Sequence, residues 1–360
     1  MFTLGGQHGQ KGRQCQSEGE PDMTDRIITV IGDGQMGLVM ADALHRSGAR
    51  TRVWGPFPED LESLSESRQT ARLDGFSLSP EIEVVMDGPA AVDGASMLVN
   101  AIPTQFIRRV WEQLGPGLSG IPIVSVAKGI ENQSLLRPTE ILQNTLAEGG
   151  IEAGPCCALS GPTIATELVD HLPAVMVAAS DDQEAAKLIQ SWLTVPWMRI
   201  YTNSDVIGVE LAGATKNVIA LAAGMVDGLG AGDNAKSAVL ARGLSEITSL
   251  GEAMGARAET FFGVAGVGDL ATTCFSPHGR NRTCGEAIGG GMTLETFLES
   301  SGFVIEGVAT TRSIVALADR HKIEMPITRA IHAILFEGLS PREAIHELMS
   351  RDPKAESIGG

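Results

Sequence analysis

Basic side chains are scarce in this sequence: 27 Lys and Arg stand against 44 Asp and Glu, a formal net charge of −17. That balance argues against a general nucleic-acid or anionic-membrane binder, because gripping phosphate backbones needs a basic face. It leaves room for a small anion held by a few local cations. Nowhere do about 18 apolar residues run uninterrupted, so no segment is expected to span a membrane. The five cysteines (Cys15, Cys156, Cys157, Cys274, Cys284) include no C-x-x-C pair. Zinc and a disulfide framework are therefore not expected, and the cysteines read as reduced thiols used as small hydrophobes. Residues 1–22 are polar and lack the apolar core of a signal peptide. They read as a disordered extension ahead of Met23, in a chain expected to be cytoplasmic.

What is abundant is glycine, 43 of 360 residues, with no collagen-like period. Tight turns and close backbone approaches are the expectation. At about 150 residues per domain the length suits two domains, and 43% hydrophobic with 20% charged residues is an ordinary globular mix.

Arg26–Ile31 is a β-branched run, followed at once by Gly32-Asp33-Gly34-Gln35-Met36-Gly37 and then by helical spacing from Leu38 to Ser47. Arg50–Trp54 reads as a second strand, giving the β-turn-α-β opening of a parallel sheet. Further strands are expected at Ile82–Met86 (weakly), Met97–Ile102, Ile121–Val126, Cys156–Leu159, Ala174–Ala179 and Trp197–Tyr201. Adjacent Cys156 and Cys157 would then point to opposite faces of their strand. After Asp205 the spacing turns helical: Val206–Val226, Lys236–Leu250, Gly285–Ile288, Leu294–Ser300, Thr310–His321, Thr328–Phe336 and Pro341–Met349. The expectation is an α/β Rossmann-like dinucleotide-binding domain over 25–204 and an all-α substrate-binding and catalytic domain over 205–350. Short extensions over 1–24 and 351–360 complete the chain.

G-x-G-x-x-G is informative because it follows a strand and opens a helix. Gly32 would allow the tight turn, Gly34 would let backbone approach a pyrophosphate, and Gly37 would let helix and strand pack closely. The amides at the helix start, Gln35 and Met36 among them, would face the phosphates. At the end of the second strand, Trp54-Gly55-Pro56-Phe57-Pro58 offers neither the carboxylate that favours NAD nor the cation that favours NADP, and Glu59 is the nearest acid. The choice between NAD and NADP stays open at this point.

Lys216-Asn217 interrupts the long apolar helix. Such a lysine either snorkels outward or is partly buried, and burial would lower its pKa toward that of a general base. Asp269 sits in Gly266-Val267-Gly268-Asp269-Leu270, as a turn aspartate or at a close backbone approach. Gly279-Arg280-Asn281-Arg282 is a small basic patch, solvated or suited to a phosphate. His278 beside it reads as solvated. Lys128 and the turn Ser160-Gly161-Pro162-Thr163 end predicted strands, where α/β domains bind ligands, and Pro162 suits a first helical turn.

From about Arg26 to Met349 the chain resembles the NAD(P)-dependent glycerol-3-phosphate dehydrogenases, nearest the bacterial form. The resemblance rests on Ala127-Lys128-Gly129, Ser160-Gly161-Pro162-Thr163-Ile164-Ala165, Gly208-Val209-Glu210-Leu211, Lys216-Asn217-Val218-Ile219-Ala220 and Gly224-Met225-Val226-Asp227-Gly228. Gly266–Leu270, Arg280-Asn281-Arg282, Val304-Ile305-Glu306-Gly307 and Met325-Pro326-Ile327 follow in the same order.

The resemblance implies a Lys216 that takes the proton, with Lys128 contacting substrate and cofactor. It implies substrate contacts from Gly161, Thr163, Asp269, Gly279, Arg280 and Asn281, and polar lining from Asn217 and Thr273. Ala165, Arg280, Val304 and Glu306, together with the glycine-rich turn and Lys128, would bind the cofactor. No metal is implied, and a homodimer is compatible. The reaction implied is hydride transfer between sn-glycerol 3-phosphate and dihydroxyacetone phosphate, supplying glycerol 3-phosphate for phospholipid synthesis.

The sequence departs from the family at Gln35-Met36, where Ser with an aromatic residue is common, and at Gly279, often Ser. It departs again around Arg72–Ser79, where an Asn-containing loop with a Leu-Pro pair is degraded. The alternatives are a β-hydroxyacid dehydrogenase acting on a carboxylate, which shares the Met-Gly ending of the turn, or a non-catalytic dinucleotide sensor. The adjacency of Lys216 and Asn217 argues against the first, and the joint presence of Lys216 and Arg280 against the second.

Overall fold

The computed structural model describes residues 26–302, 304–353 and 355. The expected N-terminal extension and most of the expected C-terminal one lie outside these residues. Eight strands form one sheet: β1 (Ile27–Ile31), β2 (Arg50–Trp54), β3 (Glu83–Val84), β4 (Met97–Asn100), β5 (Ile123–Ser125), β6 (Cys156–Ser160), β7 (Ala174–Ala179) and β8 (Met198–Asn203). Their order is β3-β2-β1-β4-β5-β6-β7-β8, and every pairing is parallel except β6 with β7. β1 is flanked by β2 and β4, so the chain reverses its direction of winding there. A crevice opens at such a switch point, at the carboxyl ends of the strands.

Both faces of the sheet are covered, and neighbouring residues divide between them as the pleat requires. Val30, Val99, Val124 and Cys157 pack on one face with Leu38, Leu44, Ile189 and Trp192. Ile31, Leu98, Ile123 and Cys156 pack on the other with Trp111, Ile141 and Leu146. The opposed cysteines behave as expected.

Each glycine of the turn after β1 has a distinct physical reason. Gly32 has φ +121°, in the region that favours glycine. A Cβ on Gly37 would lie 1.9 Å from the Gly32 carbonyl oxygen, so helix Gln35–Arg46 could not approach the strand with any side chain there. Around Gly34 a Cβ would meet nothing within 4 Å, which leaves the turn open toward the crevice.

Beyond β8 the described residues form helices. The central one, Val206–Gly228, is buried along nearly its whole length and capped by Asp205, whose carboxylate accepts from the Gly208 amide at 2.9 Å. It is long and apolar enough to cross a membrane, but 94% of its apolar window is buried inside the protein, as a core helix. Small residues let helix Arg280–Gly289 lie against it backbone to backbone. A Cβ on Gly224 would sit 2.0 Å from the Arg282 carbonyl oxygen, and one on Gly285 would sit 2.1 Å from that of Leu221. A buried ion pair, Arg137 to Glu210 at 2.5 Å, ties the helix to the sheet side; Thr139 also donates to Glu210, from its amide and its hydroxyl, both at 2.8 Å.

Several element limits differ from those read from the sequence. Helices begin earlier, at Arg280, Glu306 and Pro326, because first turns carry polar residues and proline that apolar spacing does not register. Arg280-Asn281-Arg282 is thus a helical turn rather than a loop. Gly266–Gly268 belongs to a wide helical turn, Val264–Gly268, that runs straight into helix Asp269–Phe275. Pro162 lies ahead of the short helix Ala165–Val169 rather than in its first turn. The third strand shrinks to Glu83–Val84.

Candidate active site

A cavity of about 290 Å³ opens between the carboxyl ends of β1, β4 and β5 and the central helix. Its sheet-side wall includes Gly34, Gln35, Met36, Lys128, Thr163 and Ala165; its helical wall includes Lys216, Asn217, Asp269, Thr273, Gly279, Arg280, Asn281, Val304 and Glu306. Of the residues singled out from sequence, Gly32, Gly37 and Gly161 stand behind this surface. The first two shape the turn, and the Gly161 carbonyl accepts from Lys128 Nζ at 3.0 Å.

The centre is one carboxylate shared by two ammonium groups. Asp269 is fully buried. Its Oδ2 accepts from Lys128 Nζ at 2.7 Å, and its Oδ1 accepts a short hydrogen bond from Lys216 Nζ. Lys216 also donates to Thr273 Oγ1 at 2.8 Å. At 6% exposure Lys216 does not snorkel. Burial pushes its ammonium down to about 7, with Asp269 opposing the shift and Lys128 reinforcing it. A lysine in that range can give or take a proton near neutrality.

Beside this trio runs a chain of amides. Asn217 Nδ2 donates to the Lys128 carbonyl at 3.4 Å, and Asn281 Nδ2 donates to Asn217 Oδ1 at 3.0 Å. Asn281 Oδ1 in turn accepts from the Gly307 amide at 2.9 Å. Arg280, one residue from Asn281, opens into the cavity, whereas Arg282 turns away to Asp227 at 2.8 Å and Glu286 at 3.3 Å. The basic patch of the sequence therefore splits, and only its first arginine faces the cavity. Glu306 is pushed up to about 7 by desolvation, with Arg280 opposing.

Sequence reasoning missed Thr104, whose amide donates to Glu306 Oε1 at 3.3 Å and whose buried hydroxyl has no partner among the described residues. Its place in Pro103-Thr104, just past β4 at the switch point, was the available signal. Thr104 stands behind the cavity surface, which Ala101, Pro103, Thr166, Thr272, Ser276 and His278 help to line.

The open Gly34 and the unfilled amides of a helix start without side-chain cap or first-turn acid fit a dinucleotide with its pyrophosphate at the turn. Comparison with known proteins agrees. Residues 27–186 match the NAD-dependent glycerol-3-phosphate dehydrogenase N-terminus, and residues 205–346 match the C-terminus of the same family. The chain belongs to that family.

It is 42% identical over 331 residues to glycerol-3-phosphate dehydrogenase [NAD(P)+] 2 of Salinibacter ruber, covering 91% of this chain and 96% of the relative. It is 43% identical over 331 residues to glycerol-3-phosphate dehydrogenase [NAD(P)+] of Geobacter metallireducens, covering 91% and 98%. Among solved structures, glycerol-3-phosphate dehydrogenase of Coxiella burnetii superposes with a TM-score of 0.86 at 33% identity, covering 91% of this chain and 99% of that one. This member of the family is an NAD(P)-dependent oxidoreductase.

Proposed function

We propose that the chain interconverts sn-glycerol 3-phosphate and dihydroxyacetone phosphate, with Lys216 moving the proton on the substrate's C2 oxygen. The convergence of Lys216 and Lys128 on buried Asp269, across a cavity from the glycine-rich turn, carries this reading. Bound nicotinamide supplies or accepts the hydride at C2. In reduction, Lys216 donates a proton to the oxygen as its charge develops, and Lys128 stabilises that charge. In oxidation, neutral Lys216 removes the alcohol proton. Asp269 orients both ammonium groups, and Thr273 holds Lys216 from a second side.

Arg280 and Asn281, at the first turn of their helix, hold the substrate phosphate, with Gly279 and Thr163 beside them. Loss of a charge-assisted hydrogen bond costs about 1.5–3 kcal/mol. Arg280→Ala is therefore expected to raise KM for dihydroxyacetone phosphate by about tenfold to a hundredfold, kcat changing much less. Initial rates over a substrate series check this, and an unchanged KM would remove Arg280 from the phosphate site.

The ionisation of Lys216 sets opposite pH dependences. With a pKa of about 7 it is charged below that pH and neutral above it. The kcat for reduction should fall as pH rises through about 7, and that for oxidation should rise over the same interval. Profiles moving together in both directions would count against a proton carried by Lys216.

The proposal extends to place. The described cysteines are all free thiols, in keeping with a reducing cytoplasm.

A further inference from the structure

At the ribose end of the dinucleotide site, the carboxylate absent from the end of β2 comes from elsewhere. The Gly32 amide donates to the Trp54 carbonyl at 2.7 Å, so the glycine-rich turn lies against the last residue of β2. There Asp33 Oδ1 stands 2.3 Å from where a Cβ on Gly55 would be. A side chain at position 55 would compete with Asp33 for the same space, so with Gly55 there the Asp33 carboxylate occupies the place just past β2.

Arg72 is the cation that reaches this end. Its guanidinium is already forked between carboxylates, Nη1 to Asp33 Oδ2 at 3.1 Å and Nη2 to Asp60 Oδ2 at 2.5 Å. Its carbonyl accepts a short hydrogen bond from Gln35 Nε2, which joins the Arg72 loop to the glycine-rich turn. Among the described residues no other basic group pairs with Asp33 or Asp60. Two carboxylates and one guanidinium leave a net negative charge where dinucleotide folds hold the adenosine ribose.

We propose that Asp33 and Asp60, by occupying Arg72, make this enzyme select NADH over NADPH; the inference rests on the dinucleotide site described above. A 2′-phosphate would have to displace Asp60 from Arg72 and then lie beside Asp33. A ribose 2′-hydroxyl carries no charge and meets acceptors. Asp33 is 6% exposed and only weakly screened by solvent, so the repulsion persists at ordinary salt.

The test is binding rather than turnover: titration of the full chain with NADH and with NADPH, followed by nicotinamide fluorescence without substrate. The expected Kd for NADH is at least about tenfold below that for NADPH. Asp60→Asn, an isosteric change at a side chain 42% exposed in the first turn of helix Pro58–Ser67, should contract that ratio by about threefold or more, and Asp33→Asn with it by about tenfold. Arg72→Gln should leave NADH binding preferred. Equal or tighter NADPH binding by the unaltered chain, or a ratio unmoved by Asp60→Asn, would overturn the inference alone. So would selective loss of NADPH binding in Arg72→Gln. Failure of both dinucleotides to bind would overturn the reading of the cofactor site along with it.

Discussion

Lys216→Ala is expected to lower kcat by at least about 10²–10⁴-fold, the range contributed by a positioned acid–base group. The loss should fall on kcat in both directions, since the same nitrogen gives the proton in one and takes it in the other. NADH binding should persist, because the glycine-rich turn lies on the opposite wall of the cavity. The fold should persist as well. Asp269 keeps its 2.7 Å pair with Lys128, and the helix around position 216 is held by apolar contacts on every side. Circular dichroism, a dinucleotide titration and initial rates on one preparation separate these effects. A variant that folds, binds NADH and turns over at a near-normal rate would take the proton away from Lys216.

Asp269→Asn should be the most damaging single-atom-scale change in the molecule. The amide nearly matches the carboxylate in shape but leaves buried Lys216 and half-buried Lys128 without their counter-charge. Removing one partner of a buried ion pair typically costs about 3–5 kcal/mol. In the unaltered chain burial and Lys128 push the Lys216 pKa down to about 7, and attraction to Asp269 keeps it from falling further. Without the attraction its pKa falls further. The reduction profile of Asp269→Asn should therefore move to lower pH, on top of a lowered melting temperature. A melting curve and a pH profile superimposable on those of the unaltered chain would mean that Asp269 neither holds nor tunes the lysines.

The sheet's beginning was legible because physics and pattern coincide there. A β-branched run, three glycines and an amphipathic helix admit few arrangements, and each glycine turns out to satisfy a separate steric need. First helical turns were less legible, since the proline and polar side chains that begin them leave no apolar period. The site residues were recognisable through motif order, but their geometry was not. Lys216 and Asp269 are 53 positions apart, and nothing local says that they touch. Whether Lys216 snorkels could not be read from its neighbours, because a helix buried on all sides has no polar stripe to point toward. The Asp33–Arg72 pair escaped for a similar reason. Its members are 39 positions apart, and Arg72 lies in the segment of weakest pattern.

The most direct test is to follow nicotinamide absorbance as the purified chain meets dihydroxyacetone phosphate and NADH, with a 3-oxo carboxylate of similar size in a parallel cuvette. The expected result is a fall in absorbance with dihydroxyacetone phosphate alone, abolished by Lys216→Ala. No fall with either NADH or NADPH, or an equal fall with the carboxylate, would contradict it.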